Sequence, residues 1–569
     1  MKISTAHFCA LAAFSALTLS LFSCGSTKVS TVELPLQTAY GPERSYFSSV
    51  DTRTFEAVCD ASPQNLRMAF SALHKSVDDD YRENEKVLLT LCSDIMRIVW
   101  PSEVVAWDVP ETDRNNHYLG AVDSSLRGIY DSSTGGNDFL AKVLPSLVLI
   151  TSTTHSGYYE ESFKSLSDAA AIYPESTLVN FLLGTLERRR GNFTESLAYF
   201  QTAQKKAPLN FEIQLNVAQA YYYCGNFEMA LSLGEQILLL RPQDVEVLSL
   251  CSRSSYSLGS LEKAESYVVR LLSVEPENRE YILLRARILI DKTDYIRASS
   301  LLDVYSRSDT SARDYLLLRA KLQRDWNKNS TASSETIARA LMLYPDDREV
   351  LLFAAELASS ANTTVNEMKA LELSQRILAV DKDNIQASQI LIAEMIKAGR
   401  WQEAYDLSSP LIKREGAPLS ASYRHVEICL ALKKNQEALS IAQGMYSKNQ
   451  NDEEAQQSYI KVLVATGQRN SALQLISSLM TNSNQKMKSF LYYQRSFFAS
   501  GEEAVLSDLR SSLTLNPRNR DALYRLYEIY YSKRDWRRSQ YYLKQVVALD
   551  PTNQDLLKRN SELDRLLGK

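Results

Sequence analysis

The sequence predicts an all-α solenoid of about twelve consecutive helix pairs, and two series of residues carry that prediction. Four prolines recur every 34 residues, and four glycines recur with the same period, each 17 residues before its proline. A constant period of 34 residues is typical of a helix-turn-helix repeat whose units stack on one another. The series are Pro174, Pro208, Pro242 and Pro276, and Gly157, Gly191, Gly225 and Gly259.

One unit, residues 177–210, shows how the pattern specifies two helices. The first helix is expected to end at Gly191, because glycine tolerates the positive φ that closes a helix. The second carries apolar residues at helical spacing and ends at Pro208, which has no backbone N–H to donate. Two short helices cannot bury both apolar faces alone, so each pair must stack on the next.

The same period continues through most of the chain with small slips. Ala404, Ala438 and Ala472 are 34 residues apart, as are Pro517 and Pro551. These positions predict a solenoid over residues 143–553. The predicted units begin near residues 143, 177, 211, 245, 279, 314, 351, 385, 419, 453, 486 and 520.

The unit resembles a tetratricopeptide repeat. That family has small residues at unit positions 8, 20 and 27, a turn near 15, a large apolar residue at 24 and proline at 32. The matching residues of the second unit are Gly184, Ser196, Ala203, Gly191, Phe200 and Pro208. The resemblance implies a right-handed superhelical solenoid that binds other proteins and has no enzymatic activity.

The resemblance also implies a partner-binding groove. In this family the first helix of each unit lines the concave face with unit positions 2, 5, 9, 12 and 13. Arginine and aromatic side chains at such positions are good anchors, because they combine contact area with hydrogen bonding. An acidic partner is expected to pair with the arginines. The implied groove residues are Arg188, Tyr222, Arg253, Tyr256 and Arg287 in units two to five, and Phe490, Phe497 and Tyr524 in the last two.

The N-terminal segment resembles a lipoprotein signal. Residues 1–23 have one charge, at Lys2, and an apolar run that leads to Leu21-Phe22-Ser23-Cys24-Gly25. This run is short for a membrane span and precedes small residues. The resemblance to a bacterial lipobox implies that Cys24 is acylated and becomes the new N-terminus. An ordinary secretory signal and an uncleaved anchor are the alternatives. Gly25 after the cysteine favours the outer membrane, on its periplasmic face or at the cell surface.

Three further segments complete the predicted organisation. Residues 24–50 are rich in Ser and Thr and are expected to form a tether. Residues 51–142 are expected to form a helical N-terminal cap, with helices over residues 63–75 and 84–100. Residues 554–569 read as an amphipathic helix that caps the far end of the solenoid.

The sequence contains no motif that indicates catalysis or metal binding. The five histidines are isolated along the chain, and there is no Cys-x-x-Cys, metalloprotease or phosphate-loop motif. No catalytic residue, cofactor or metal is therefore expected. The net charge is −4, which argues against a nucleic-acid partner. Residues 510–569 alone are basic, since 13 Lys and Arg against 7 Asp and Glu give +6.

These observations favour a membrane-anchored scaffold that holds protein partners during assembly of the bacterial envelope. Two alternatives remain open at the level of sequence. One is an accessory of a transport system that binds a small apolar ligand. A closed apolar cavity would favour this alternative. The other is a surface adhesin. Accessibility of the protein to protease on intact cells would favour this alternative.

Overall fold

A computed structural model describes residues 46–79, 83–106, 138–152, 158–414, 416–551 and 553–568. Within these ranges the chain forms 28 α-helices and one 3-10 helix and has no strand longer than an isolated bridge. The all-helical repeat fold is thus confirmed. The signal segment, Cys24 and residues 24–45 of the tether lie outside these ranges. Among the helices described, none is long and apolar enough to cross a membrane.

The chain divides into two compact units, with the boundary between Lys292 and Thr293. The first unit begins with a helical subdomain: α1 (Thr52–Asp60), α2 (Pro63–Asp79), α3 (Glu83–Val99) and a 3-10 turn (Pro101–Ala106).

This subdomain has a core of its own. The indole N–H of Trp100 donates to the carbonyl oxygen of Ala61, 2.9 Å away. Phe47 is fully buried and stacks on Phe55, so the core starts before residue 51, where the tether was expected to end. Cys59 and Cys92 are both buried as free thiols.

Repeats of two helices follow in the first unit. They are α4 (Phe139–Ser152) with α5 (Tyr158–Ile172), α6 (Thr177–Arg190) with α7 (Phe193–Lys206), α8 (Phe211–Tyr223) with α9 (Phe227–Leu240), α10 (Val245–Ser257) with α11 (Leu261–Val274), and then α12 (Arg279–Asp291). The expected boundary between cap and repeats, at residue 143, therefore falls inside α4. The repeat period placed that boundary four residues late, and Pro145 lies in the interior of α4.

The second unit continues the series. It contains α13 (Tyr295–Ser306), α14 (Arg313–Asp325), α15 (Ser330–Leu343), α16 (Arg348–Ala361), α17 (Ala370–Val380), α18 (Ile385–Lys397), α19 (Trp401–Leu411), α20 (Leu419–Ala431), α21 (Asn435–Lys448), α22 (Glu453–Ala465), α23 (Arg469–Met480), α24 (Gln485–Arg495), α25 (Glu502–Leu515), α26 (Arg520–Ser532), α27 (Trp536–Leu549) and α28 (Gln554–Leu566). Apart from α4, every first helix begins within three residues of its predicted position.

Local chemistry explains the helix ends. Most first helices start after an Asn or Asp whose side chain accepts a backbone N–H of the first turn, as Asn210 does from Ile213 at 3.0 Å. Gly191 closes α6 with a φ of +89°. Small residues set the close packing inside a pair, since a Cβ atom on Gly184 would lie 2.8 Å from the ring of Phe200.

Candidate functional site

In the first unit, the predicted groove arginines contact the neighbouring repeats. The guanidinium of Arg188, on α6, donates to the side-chain oxygen of Gln219 on α8, 2.9 Å away. Arg253, on α10, forms an ion pair with Glu280 on α12.

The aromatic residues of this set are engaged as well. The hydroxyl of Tyr256 donates to Asp291. Tyr222 packs edge-on against Phe227, with ring centroids 5.4 Å apart. Arg287 is half-buried and also interacts within the protein. Arg188 and Arg253 are therefore bonded to neighbouring repeats, because long side chains at facing positions reach the next first helix, and the side chain of Arg253 is still 40% exposed.

The predicted groove residues of the second compact unit lie on α24, just after α24, and on α26. Phe497 follows α24, is 45% exposed, and carries the guanidinium of Arg525 over its ring at 3.6 Å from the centroid. Phe490 is half-buried, with the ammonium of Lys461 6.0 Å from its ring centroid. Tyr524 packs on the ring of Tyr527. Phe490 and Phe497, the aromatic stretch of α24, each have a cation beside the ring.

A cavity of about 360 Å³ lies between two first helices of this unit, α20 and α22. Most of its lining residues occupy unit positions 2, 5, 9 and 12, the same positions that the resemblance assigned to the groove. From the sequence, those positions were considered only in repeats two to five and in the last two repeats. The pair of helices α20 and α22 was therefore missed. The lining is Ser420, Tyr423, Arg424, Val426, Glu427, Leu430, Glu454, Gln457, Ser458 and Lys461.

Two carboxylates of the cavity are uncommitted. Glu427 and Glu454 are exposed and form neither an ion pair nor a hydrogen bond with any residue that the structure describes. Arg424, in contrast, donates to the carbonyl oxygen of Gln389 at 2.9 Å. The available charge of the cavity therefore includes two acidic groups.

Tyr423 fixes the cavity wall. Its hydroxyl donates to Asp452 Oδ1 at 2.8 Å, and the same oxygen caps α22 through the N–H of Ala455. Burial, and then the bond to Asp452, raise the pKa of Tyr423 to about 12, so the phenol stays neutral at physiological pH. This pair ties α20 to α22.

A second cluster lies on the inner face of α20. His425 and Cys429 are fully buried, and their ring nitrogen and sulfur approach the carboxylate of Glu437 on α21. Burial lowers the pKa of His425 and raises that of Cys429 to about 11, so the imidazole is neutral and the sulfur is a thiol. A thiol of this kind is a poor nucleophile. The expectation that every histidine stands alone is wrong for His425, and its spacing of four residues from Cys429 was the signal.

Comparison with known proteins supports the repeat assignment. The family model described as tetratricopeptide repeat matches residues 181–245. No curated protein matches the chain.

Solved structures with similar folds cover parts of the chain. PilF of Pseudomonas aeruginosa is 18% identical, covers 38% of this chain and 97% of its own, and has a TM-score of 0.32. A human IFIT1 dimer with m7Gppp-AAAA is 16% identical. The match covers 70% of this chain and 93% of the IFIT1 chain, with a TM-score of 0.37. A tetratricopeptide repeat protein of Parabacteroides merdae is 16% identical, covers 40% and 86%, and has a TM-score of 0.32. At such scores these likenesses carry no information about function.

Repeats of this family are in general scaffolds for protein–protein interaction, because stacked helix pairs present extended binding surfaces. Residues 181–245 match the family model, and the same helix-pair architecture extends through both units. These findings support a tetratricopeptide-repeat family for this chain.

Proposed function

We propose that this protein is a non-enzymatic scaffold of the bacterial envelope, which a lipid on Cys24 holds at the membrane. A protein segment docks between α20 and α22. The observation that supports this most is the cavity of about 360 Å³, with the uncommitted carboxylates of Glu427 and Glu454 on its wall. The lipobox-like residues 21–25 support the anchor.

The cavity is large enough to take side chains of a bound protein segment. Its volume of about 360 Å³ is at the low end of the range of about 300–1,000 Å³ found for ligand pockets. One or two partner side chains fill such a space. Val426 and Leu430 supply apolar contact at its wall.

The two free carboxylates favour a partner segment with a basic group, and this segment must also accommodate the positive charges of Arg424 and Lys461 in the same lining. Charge-assisted hydrogen bonds between a carboxylate and a Lys or Arg are among the stronger polar contacts. Glu427 and Glu454 are free to make them, whereas Arg188 and Arg253 are already occupied within the first unit. The partner thus carries a Lys or Arg where the sequence alone suggested acidic groups.

The aromatic stretch of α24 extends this surface. Phe490 lies on α24, the first helix of the repeat after α22, and the half-exposed ring of Phe497 comes just after α24. Apolar side chains of a bound segment pack there while its basic group occupies the cavity. The charged lining of the cavity does not favour the alternative of a small apolar ligand.

Site-specific photo-crosslinking in cells tests this function. A photoreactive residue at Glu427 is expected to crosslink a defined protein. A matched probe at Gln443, which is exposed on the second helix α21, is expected to give little of that product. Equal yields at both positions, or no product at Glu427, would contradict docking at this cavity.

A further inference from the structure

We propose that His425, Cys429 and Glu437 form a binding site for a thiophilic divalent cation of the zinc class. His425 and Cys429 are four residues apart on α20 and therefore share one face of the helix. Glu437 comes from the first turn of α21. The packing of α20 against α21 brings the imidazole, the thiol and the carboxylate together.

The distances between the ligand atoms fit a tetrahedral ion. His425 Nε2 is 3.4 Å from Glu437 Oε1 and 3.5 Å from Cys429 Sγ. Zinc bonds of about 2.0–2.3 Å to N, O and S at tetrahedral angles place ligand atoms roughly 3.3–3.7 Å apart. Two edges thus already have the required length. All three atoms lie within 4.8 Å of one another, and Glu437 is partly exposed and can adjust.

Hydrogen bonds around the cluster orient the ligands. Ser408 Oγ lies 2.7 Å from His425 Nδ1 and also 3.2 Å from the carbonyl oxygen of Tyr405. In the tautomer that carries the proton on Nδ1, Ser408 Oγ accepts that proton and donates its own to the carbonyl oxygen of Tyr405. The lone pair of Nε2 then faces the thiol and the carboxylate. Histidines that bind metals are held in this way through their other ring nitrogen.

Tyr405 orients the carboxylate in a similar manner. Its hydroxyl donates to Glu437 Oε2 at 2.8 Å, which leaves Oε1 as the oxygen that faces His425. The ring of Tyr405 also stacks on the imidazole, with centroids 5.2 Å apart. Each ligand atom therefore has its position set by a group outside the ligand set, apart from the sulfur.

The donor set selects the metal. Nitrogen and sulfur ligands suit zinc and disfavour magnesium and calcium, which prefer oxygen. When the ion binds, the thiol loses its proton to solvent and a Zn–S bond forms. A thiolate, a carboxylate and a neutral imidazole then balance the two charges of the ion, as burial requires. The cations that face the cluster, Lys434 and Lys413, oppose binding, and Lys434 is held over the ring of Tyr405. A water completes the coordination.

The experiment titrates Zn²⁺ into the chelator-treated, reduced full chain by calorimetry. We expect one tight site, with about one proton released per ion as the thiol ionises. Cys429→Ala is expected to weaken Zn²⁺ binding at least about 100-fold, since even the outer partners of a metal site contribute about 10–100-fold. Cys251→Ala removes a buried thiol from another repeat and is the matched control.

A second readout separates this site from adventitious binding. Co²⁺ is expected to give a thiolate-to-cobalt charge-transfer band that Cys429→Ala abolishes and Cys251→Ala keeps. Glu437→Gln alters a partly exposed side chain, so it reports on the ligand set even if Cys429→Ala folds poorly. Absence of tight Zn²⁺ binding, or equal affinity in the parent, Cys429→Ala and Glu437→Gln, would overturn the proposal.

Discussion

The guanidinium of Arg188 donates a hydrogen bond to the side-chain oxygen of Gln219, 2.9 Å away on the first helix of the next repeat. Arg253 joins Glu280, again on the following first helix, in the same manner. Side chains at groove positions of the first unit therefore hold consecutive repeats together. Their role in partner binding stays a prediction, and their role in stability becomes testable.

The double substitution Arg253→Ala, Tyr256→Ala should destabilise the protein. It removes the exposed ion pair to Glu280, worth at most about 1 kcal/mol, and the bond of Tyr256 to the Asp291 carboxylate, worth about 1.5–3 kcal/mol. Urea unfolding followed by circular dichroism measures the loss. Tyr541→Ala, at a ring that is 63% exposed, is the control, and equal stability of the two variants would argue against these inter-repeat contacts.

Gly184→Ala is expected to destabilise the second repeat by about 1–3 kcal/mol, since its new Cβ atom would meet a packed ring. That atom would lie 2.8 Å from Phe200, which is fully buried. Gly444→Ala is the matched control on α21, because nothing lies within 4 Å of its added Cβ. It should stabilise by about 0.4–1 kcal/mol through the reduced freedom of the unfolded chain. Thermal melts of both variants are compared, and a harmless Gly184→Ala would be inconsistent with the packing of α6 on α7.

The lowered pKa of Asp347 predicts that the stability of the fold depends on pH. Burial alone would raise its pKa, but the backbone N–H of Val350 and the guanidinium of Arg313, 3.0 Å away, lower the pKa overall. Because the folded pKa is below the unfolded one, the ionised carboxylate stabilises the fold above about pH 4. That contribution is lost as the pH falls through the folded value.

The variant Asp347→Asn keeps a helix cap and loses the ion pair. Its stability should fall short of the parent by about 0.5–1 kcal/mol at pH 7. We expect the gap to close below pH 4 in urea titrations at a series of pH values. Asp244→Asn changes a cap that has no ion pair among the described residues, and at pH 7 it is the matched control for replacing a cap carboxylate alone. A gap at Asp347 that does not depend on pH would refute this assignment.

Much of the fold could be predicted because its signals are local. The caps at Asn210 and its equivalents, the closing glycines and the prolines each act within one turn of their own position. The state of the groove residues could not be predicted in this way. Whether Arg188 is free depends on Gln219, 31 residues later, and the cluster at His425 exists only because α20 packs on α21.

Cys24→Ala tests the membrane anchor. If Cys24 is acylated, the substitution removes the lipid, and the protein should pass from the membrane fraction to the soluble fraction. Metabolic labelling with a fatty acid should be lost at the same time. Cys9→Ala, in the segment expected to be removed, is the control and should leave both unchanged. A Cys24→Ala form that still partitions with membranes and detergent would show that the lipobox interpretation is wrong.

Docking of a basic segment between α20 and α22 is tested most directly by calorimetric titration of a peptide from the crosslinked partner. The parent is compared with the double variant Glu427→Gln, Glu454→Gln. The control is Glu228→Gln, Glu335→Gln, which removes the same charge from exposed positions on second helices. We expect the cavity variant to bind at least about tenfold more weakly, equivalent to about 1.4 kcal/mol, and the control to match the parent. Equal affinity of all three proteins, with the fold intact by circular dichroism, would contradict the docking site.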